Sequence, residues 1–200
     1  MKRLAFTFIL ACCALGLAAQ DVVRVSYQGA KPTITDFAWA YLFYDDGDEE
    51  DECDQEATAW VKNALYNYRN GLPQSEDVTV TVDEKNGYIL CQFINEDHSV
   101  KVEMCFWNEA DKKHKLFAYS SWLFIHGKPG QGQYDDLTFY RYNNATKTMH
   151  HTRDVGFDVE YDANTYTLPR KGKDIIVTYW NEDGTTRHKT LRWNGRKFVE

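Results

Sequence analysis

Carboxylates crowd one short stretch of the chain and are the first candidates for chemistry. Every residue from Asp45 to Glu52 except Gly47 is acidic. Asp45, Asp46 and Asp48 offer the hard oxygen ligands that Ca²⁺ prefers. The spacing does not fit an EF-hand, because Gly47 at the sixth loop position would place an apolar leucine at the first. The second interpretation is a solvated lead-in to a helix, whose N-terminal dipole favours acidic residues.

Four tryptophans on predicted strands form the second group of candidate ligand-binding residues: Trp107, Trp122, Trp180 and Trp193. Aromatic residues make up 15% of the chain, so not every ring needs to lie in one core. An exposed indole stacks on a sugar ring or anchors a protein partner. Packing in cross-strand pairs is the alternative for each ring. The aromatic content therefore favours a module that binds a glycan or a protein.

No motif in the chain specifies a reaction or a cofactor. The sequence contains neither a Gly-x-Ser-x-Gly elbow nor a His-Glu-x-x-His pair. His150 and His151 are adjacent, so on a strand they face opposite sides and suit a single metal poorly. A cysteine nucleophile near a histidine stays open without local support. We therefore expect a non-enzymatic module without a cofactor, with a small secreted hydrolase lacking a readable motif as the competing class.

Residues 1–19 have the pattern of a secretory signal peptide. Lys2 and Arg3 precede an apolar stretch over residues 4–17, and small residues at Ala18 and Ala19 suit cleavage. The apolar stretch is about 14 residues long, whereas a membrane-spanning helix needs roughly 20. We expect export to the periplasm, the cell surface or the medium, no transmembrane segment, and a single domain over residues 20–200.

A lipid anchor is the alternative fate of the N-terminus, because Leu10-Ala11-Cys12 resembles a bacterial lipobox. In that case Cys12 would carry the lipid. The charge of the chain is −7, and loss of Lys2 and Arg3 with the signal would change it to −9. Such acidity argues against nucleic acid and anionic membranes as partners.

Three cysteines remain after the signal: Cys53, Cys91 and Cys105. A hairpin turning at residues 95–98 would place Cys91 opposite Val102 and Cys105 opposite Tyr88. The two thiols would then sit apart, which disfavours a bridge between them. A bridge from Cys53 to either of them stays open, as does burial of all three as small apolar groups.

The elements that would position these residues are two helices followed by many strands. Thr33 and Asp36 form a capping pair for a short helix, and apolar residues from Cys53 to Tyr68 recur at helical spacing. Beyond Pro73 the pattern alternates, which predicts strands at Val78 to Val82, Tyr88 to Ile94, Val100 to Trp107, Leu116 to Ile125, Leu137 to Tyr142, Thr148 to Thr152, Asp174 to Trp180 and Arg187 to Trp193.

The expected fold class is α+β, with the two N-terminal helices packed on an antiparallel meander of about seven to nine strands. A calycin-like closed β-barrel is the alternative, because closure would protect the sheet edges.

Three segments resemble parts of uncharacterised exported β-rich proteins of Gram-negative bacteria. They are the signal ending in Ala18-Ala19-Gln20, the hairpin from Leu137 to Met149 and the strand pair from Leu191 to Phe198. The resemblance implies a periplasmic or cell-surface location and transfers no activity to individual residues.

Overall fold

The computed structural model describes residues 22–44, 52–130, 136–160, 164–181 and 183–200, and for residues 52–57 it describes the backbone alone. The predicted signal peptide, the lipid-anchor candidate Cys12 and the calcium candidates Asp45, Asp46 and Asp48 lie outside these ranges.

Two helices precede most of the strands. Helix α1 spans Ile34–Leu42, and the Asp36 carboxylate accepts a hydrogen bond from the Thr33 backbone N–H at 2.9 Å. Helix α2 spans Glu52–Asn70. It ends at Gly71, whose φ of 65° is the left-handed conformation that a glycine adopts without steric cost.

The described residues form twelve strands: β1 Val22–Arg24, β2 Val78–Asp83, β3 Tyr88–Ile94, β4 His98–Asn108, β5 His114–Ile125, β6 Lys128–Pro129, β7 Asp136–Asn143, β8 Thr148–His151, β9 Asn164–Thr167, β10 Ile175–Trp180, β11 Thr186–Trp193 and β12 Phe198–Val199. The strand pairs are antiparallel throughout.

The strands divide between two sheets, so the expectation of a single meander is too simple. The large sheet has the order β1-β8-β7-β5-β4-β3-β2, with β6 paired to β5, and the small sheet has the order β12-β11-β10-β9. Strands β1 and β2 lie at opposite edges of the large sheet and do not pair with each other. The calycin-like closed barrel is therefore wrong: the sheet stays open.

Both faces of the large sheet are buried, and side chains alternate between the two faces along each strand. Val102 and Met104 of β4 belong to a core that includes Phe37 of α1 and Leu65 of α2. Trp107 of the same strand belongs to a second core. Aromatic rings of α1 and the large sheet are in direct contact. The Phe37 ring centroid lies 5.2 Å from that of Phe106 and 5.0 Å from that of Tyr142.

The second core joins the two sheets. Leu116 and Trp122 of β5 share it with Tyr166 of β9 and Ile175 of β10. A polar link reinforces the contact, because Trp122 Nε1 donates to the Tyr166 carbonyl at 3.1 Å. No helix in the described part of the chain has the length and apolar character needed to cross a membrane.

Candidate functional site

Three of the four candidate tryptophans lie inside the second core. Trp107, Trp122 and Trp193 are 4%, 2% and 9% exposed, respectively. Trp107 packs against Trp193 and donates through Nε1 to the Lys173 carbonyl at 2.8 Å. All three rings lie in the core between the two sheets and are therefore not open to a ligand in this structure.

Trp180 is the remaining candidate, and it is not a member of the second core. Its side chain is half-buried, its ring centroid lies 6.4 Å from that of Phe124, and its Nε1 donates to Thr165 Oγ1 at 3.2 Å. The four tryptophans thus do not form one exposed stacking platform.

The two cysteines whose side chains are described are free and buried on opposite faces of the large sheet. Cys91 pairs with Val102 and Cys105 with Tyr88, so the predicted register is confirmed. Burial raises the pKa of the Cys91 thiol to about 12. The pKa of Cys105 is also raised well above its usual value by burial and then by Glu103. Both groups stay protonated near neutral pH and are unsuited to act as nucleophiles.

A cluster of possible metal ligands lies at the turn between β4 and β5. Ligand atoms of Glu109, Asp111 and His114 all lie within 4.8 Å of one another, and His114 Nδ1 is 2.6 Å from Asp111 Oδ2. Arg141 Nε approaches Glu109 Oε1 at 2.7 Å, and Arg196 Nη1 approaches Oε2 at 3.6 Å.

These two guanidinium groups already balance the buried Glu109 carboxylate. A divalent cation would have to enter beside two positive charges, which Coulomb repulsion disfavours. The ion pairs also connect β7 to the C-terminal hairpin, where the Ala110 N–H donates to the Gly195 carbonyl at 2.8 Å. We therefore interpret this cluster as a structural connection between the sheets.

A cleft of about 330 Å³ opens beside β7, between the strand and the segment that follows β8. We call it the β7 cleft and define it by its lining residues: Asp136, Leu137, Thr138, Phe139, His151, Thr152, Arg153, Val155, Phe157, Asp158 and Val159.

Hydrogen bonds hold the two walls of the β7 cleft in place. The Thr152 N–H donates to the Phe139 carbonyl at 2.8 Å, and the Phe198 N–H donates to the Val155 carbonyl at 2.8 Å. Between them the chain turns at Gly156, whose φ is 94°. A Cβ at Gly156 would lie 2.2 Å from the Phe198 carbonyl oxygen, so only glycine permits this close approach.

The floor of the β7 cleft is apolar. Leu137, Phe139 and Val155 are buried members of the second core, and Phe157 and Val159 pack against that core while half-buried. The Phe157 ring meets the Phe139 ring edge to face, with centroids 5.9 Å apart. The floor therefore rests on packed side chains of the second core.

The rim of the β7 cleft carries charges of both signs. The ionisable residues among those that line the cleft are Asp136, His151, Arg153 and Asp158. His151, Arg153 and Asp158 are exposed, and Asp136 is half-buried. Charged and hydroxyl groups therefore surround an apolar base, which is the usual composition of a ligand site.

Tyrosine side chains lie behind the rim, on the α1 face of the sheet. The Tyr140 ring contacts the His151 ring edge to face at 5.7 Å and the Tyr41 ring at 5.4 Å. Burial raises the pKa of Tyr41 well above its usual value, and the charges of Tyr119 and Asp136 raise it further. The Tyr41 hydroxyl therefore stays protonated, and Asp136 is one of the charged groups near it.

The sequence patterns did not select the β7 cleft, because its second wall is not a strand. A signal was present: Val155, Phe157 and Val159 alternate with a glycine and an acid over a short span. This period marks a segment with one apolar side. The pattern does not show that this apolar side lies beside β7.

Comparison of the chain with protein-family models, with curated proteins and with solved structures finds no match.

Proposed function

We propose that this protein is an exported, non-enzymatic binding module and that its ligand occupies the β7 cleft. The observation that carries the proposal is an apolar floor of packed rings beneath a rim with charges of both signs. The signal pattern of residues 1–19 supports the export half of the proposal. An intact mass starting after Ala18 or Ala19 is expected; a mass starting at a diacylated Cys12 would show a lipid-anchored protein.

A glycan unit is the ligand class that this composition favours. One face of a sugar ring is apolar and packs on an aromatic side chain such as Phe157, while its hydroxyls bind carboxylates and hydroxyl groups. Asp158 is an exposed acceptor among the residues that line the cleft, and Thr152 is a half-buried one. The volume of about 330 Å³ lies at the lower end of the range for ligand sites and suits one or two sugar units.

Glycan-array binding by the purified mature protein tests the proposal with substitutions on the rim. Asp158→Asn and Arg153→Gln alter exposed side chains, so the fold should persist. Each should weaken binding about tenfold or more, since a hydrogen bond to a charged group contributes about 1.5–3 kcal/mol. Glu96→Gln, on the exposed β3–β4 turn, is the matched control and should bind like the wild type.

Two outcomes would contradict this assignment. Glycan binding that is unchanged in both rim variants would exclude the β7 cleft as the site. Binding of peptides but of no glycan, with loss in the rim variants, would keep the cleft and assign it a protein ligand.

A small hydrolase is the second candidate function, because two acidic residues and a histidine are among the residues that line the cleft. Paired carboxylates are the groups used in general acid and base chemistry. Turnover of chromogenic glycosides or esters that is abolished in both Asp136→Asn and Asp158→Asn would support hydrolysis. Binding without turnover in the wild type would favour the non-enzymatic module.

A further inference from the structure

Strand β2 forms one edge of the large sheet and carries the sequence Val-Thr-Val-Thr-Val-Asp. It pairs with β3 over six consecutive residues without a bulge. Within the ranges that the structure describes, no strand pairs with its other side.

The backbone groups at Val80 and Val82 point outward from this edge. The Asp77 carbonyl accepts a hydrogen bond from the Ile94 N–H at 2.9 Å, which makes residues 77 and 94 a hydrogen-bonded pair. Hydrogen-bonded and non-hydrogen-bonded pairs alternate in an antiparallel ladder. Thr79 and Thr81 therefore bond to β3, while Val80 and Val82 present an N–H and a carbonyl each to the outside.

The interior of β2 has none of the features that commonly protect an edge strand. Proline, inward-pointing charges, lysines and bulges prevent sheets from pairing through their edges. Residues 78–82 contain only valine and threonine, which have high strand propensity. The edge is therefore competent to add a further strand.

A second copy of this chain is the occupant that the edge fits best. Antiparallel pairing of a strand with itself requires only a twofold axis, the commonest symmetry of soluble oligomers. With Thr81 on that axis, Val80 lies opposite Val82 of the second copy. Val80 and Val82 already pack against the α1 and α2 core, so the pairing extends this apolar face across the axis.

Charge decides between the two registers that place both Val80 and Val82 opposite a valine of the second copy. A twofold axis at Val80 would set Asp77 opposite Asp83 of the second copy, which places like charges together. An axis at Thr81 brings Asp77 toward Lys85 of the second copy instead, and symmetry repeats this contact. Asp77 and Lys85 are both exposed side chains.

We propose that two copies of the protein associate through antiparallel β2–β2 pairing with the twofold axis at Thr81, forming one continuous sheet. Sedimentation velocity of the mature protein over increasing concentration should show a monomer–dimer equilibrium. Val80→Pro removes an N–H that β3 does not use, so proline is tolerated at this edge position. This variant should keep its circular dichroism spectrum and sediment as a monomer.

Charge exchange supplies a test that does not depend on proline. Asp77→Lys alone and Lys85→Asp alone each place like charges together and should weaken the dimer severalfold. Combining both substitutions in one chain should restore dimerisation to the wild-type level. Loss of folding cannot produce this pattern, because the double variant contains both changes.

Cysteine cross-linking determines the register. Residues in a non-hydrogen-bonded antiparallel pair have Cα atoms about 4.5 Å apart, within the range of a disulfide. Thr81→Cys should therefore form a disulfide-linked dimer under mild oxidation. In the proposed register Thr79 lies opposite Asp83 of the second copy. The cross-linking of Thr79→Cys should therefore not exceed the background of the wild type.

The proposal is overturned if the wild type stays monomeric at several hundred micromolar and Thr81→Cys gives no cross-link above background. It is equally overturned if Val80→Pro dimerises as strongly as the wild type, since the interface would then lie elsewhere.

Discussion

Replacing Trp122 with alanine should destabilise the whole protein rather than remove a ligand contact. The side chain is 2% exposed and its ring stacks on Tyr166 with centroids 5.7 Å apart. Its Nε1 donates to Ser120 Oγ at 2.6 Å and to the Tyr166 carbonyl at 3.1 Å. The substitution thus removes both apolar packing and a polar link between the two sheets.

The expected loss is about 3–5 kcal/mol, the range for deleting a buried Trp or Phe side chain. For a domain of this size each kcal/mol lowers Tm by about 2–4 °C, which gives a decrease of roughly 6–20 °C. Trp122→Phe should lie between Trp122→Ala and the wild type, with the lost hydrogen bonds contributing about 1–3 kcal/mol. The Ser120 hydroxyl still donates to the Tyr166 carbonyl at 3.2 Å, which places that contribution near the lower end.

Thermal denaturation followed by circular dichroism measures these changes. Trp180→Ala is the matched control: it removes the same side chain from a half-buried position and should cost about 1–2 kcal/mol. If Trp122→Ala melts within about 1 °C of the wild type while ligand binding is lost, the ring serves recognition and its structural assignment is refuted.

Gly156→Ala should lower Tm more than Gly172→Ala. Both glycines have positive φ, 94° and 87°, but only at Gly156 would the new Cβ meet the Phe198 carbonyl oxygen, at 2.2 Å. Equal decreases in Tm would contradict the close approach. The Cys91 thiol, whose pKa burial raises to about 12, should be alkylated at pH 8 roughly a thousandfold more slowly than an unperturbed cysteine. Peptide mapping after timed iodoacetamide treatment checks this rate, and fast labelling of the folded protein would contradict burial. The hydrogen bond from His114 is the main cause that lowers the pKa of Asp111 to about 2. This pKa lies below the value of about 3.9 in an unfolded chain. Its contribution to stability is therefore present above about pH 4 and lost as the pH falls toward 2. The difference in Tm between the wild type and Asp111→Asn should accordingly narrow from pH 6 to pH 3, and a difference that widens would reverse the assigned sign.

Hairpin register was predictable from the sequence because it depends on turns between neighbouring strands. Cys91 lies opposite Val102 and Cys105 opposite Tyr88, as the turn at residues 95–98 predicts. The turn between β11 and β12 contains Gly195, whose φ of 100° favours glycine.

The candidate site was not predictable in the same way. Alternation places Trp107 and Trp122 on one face of the large sheet, but it does not reveal whether that face meets solvent or a second sheet. The wall of the β7 cleft formed by residues 152–159 has no regular structure, so strand and helix patterns pass over it. Its alternating apolar residues became meaningful only beside β7.

The sequence by itself determined the antiparallel pairing of successive strands and the separation of Cys91 from Cys105, because these depend on interactions between residues close in the chain. Only the tertiary structure decided that two sheets stack, that the stacking buries Trp107, Trp122 and Trp193, and that a cleft opens beside β7. The reason is the distance of the contacts along the chain. Trp122 meets Tyr166 across 44 residues, and no local period encodes such a meeting.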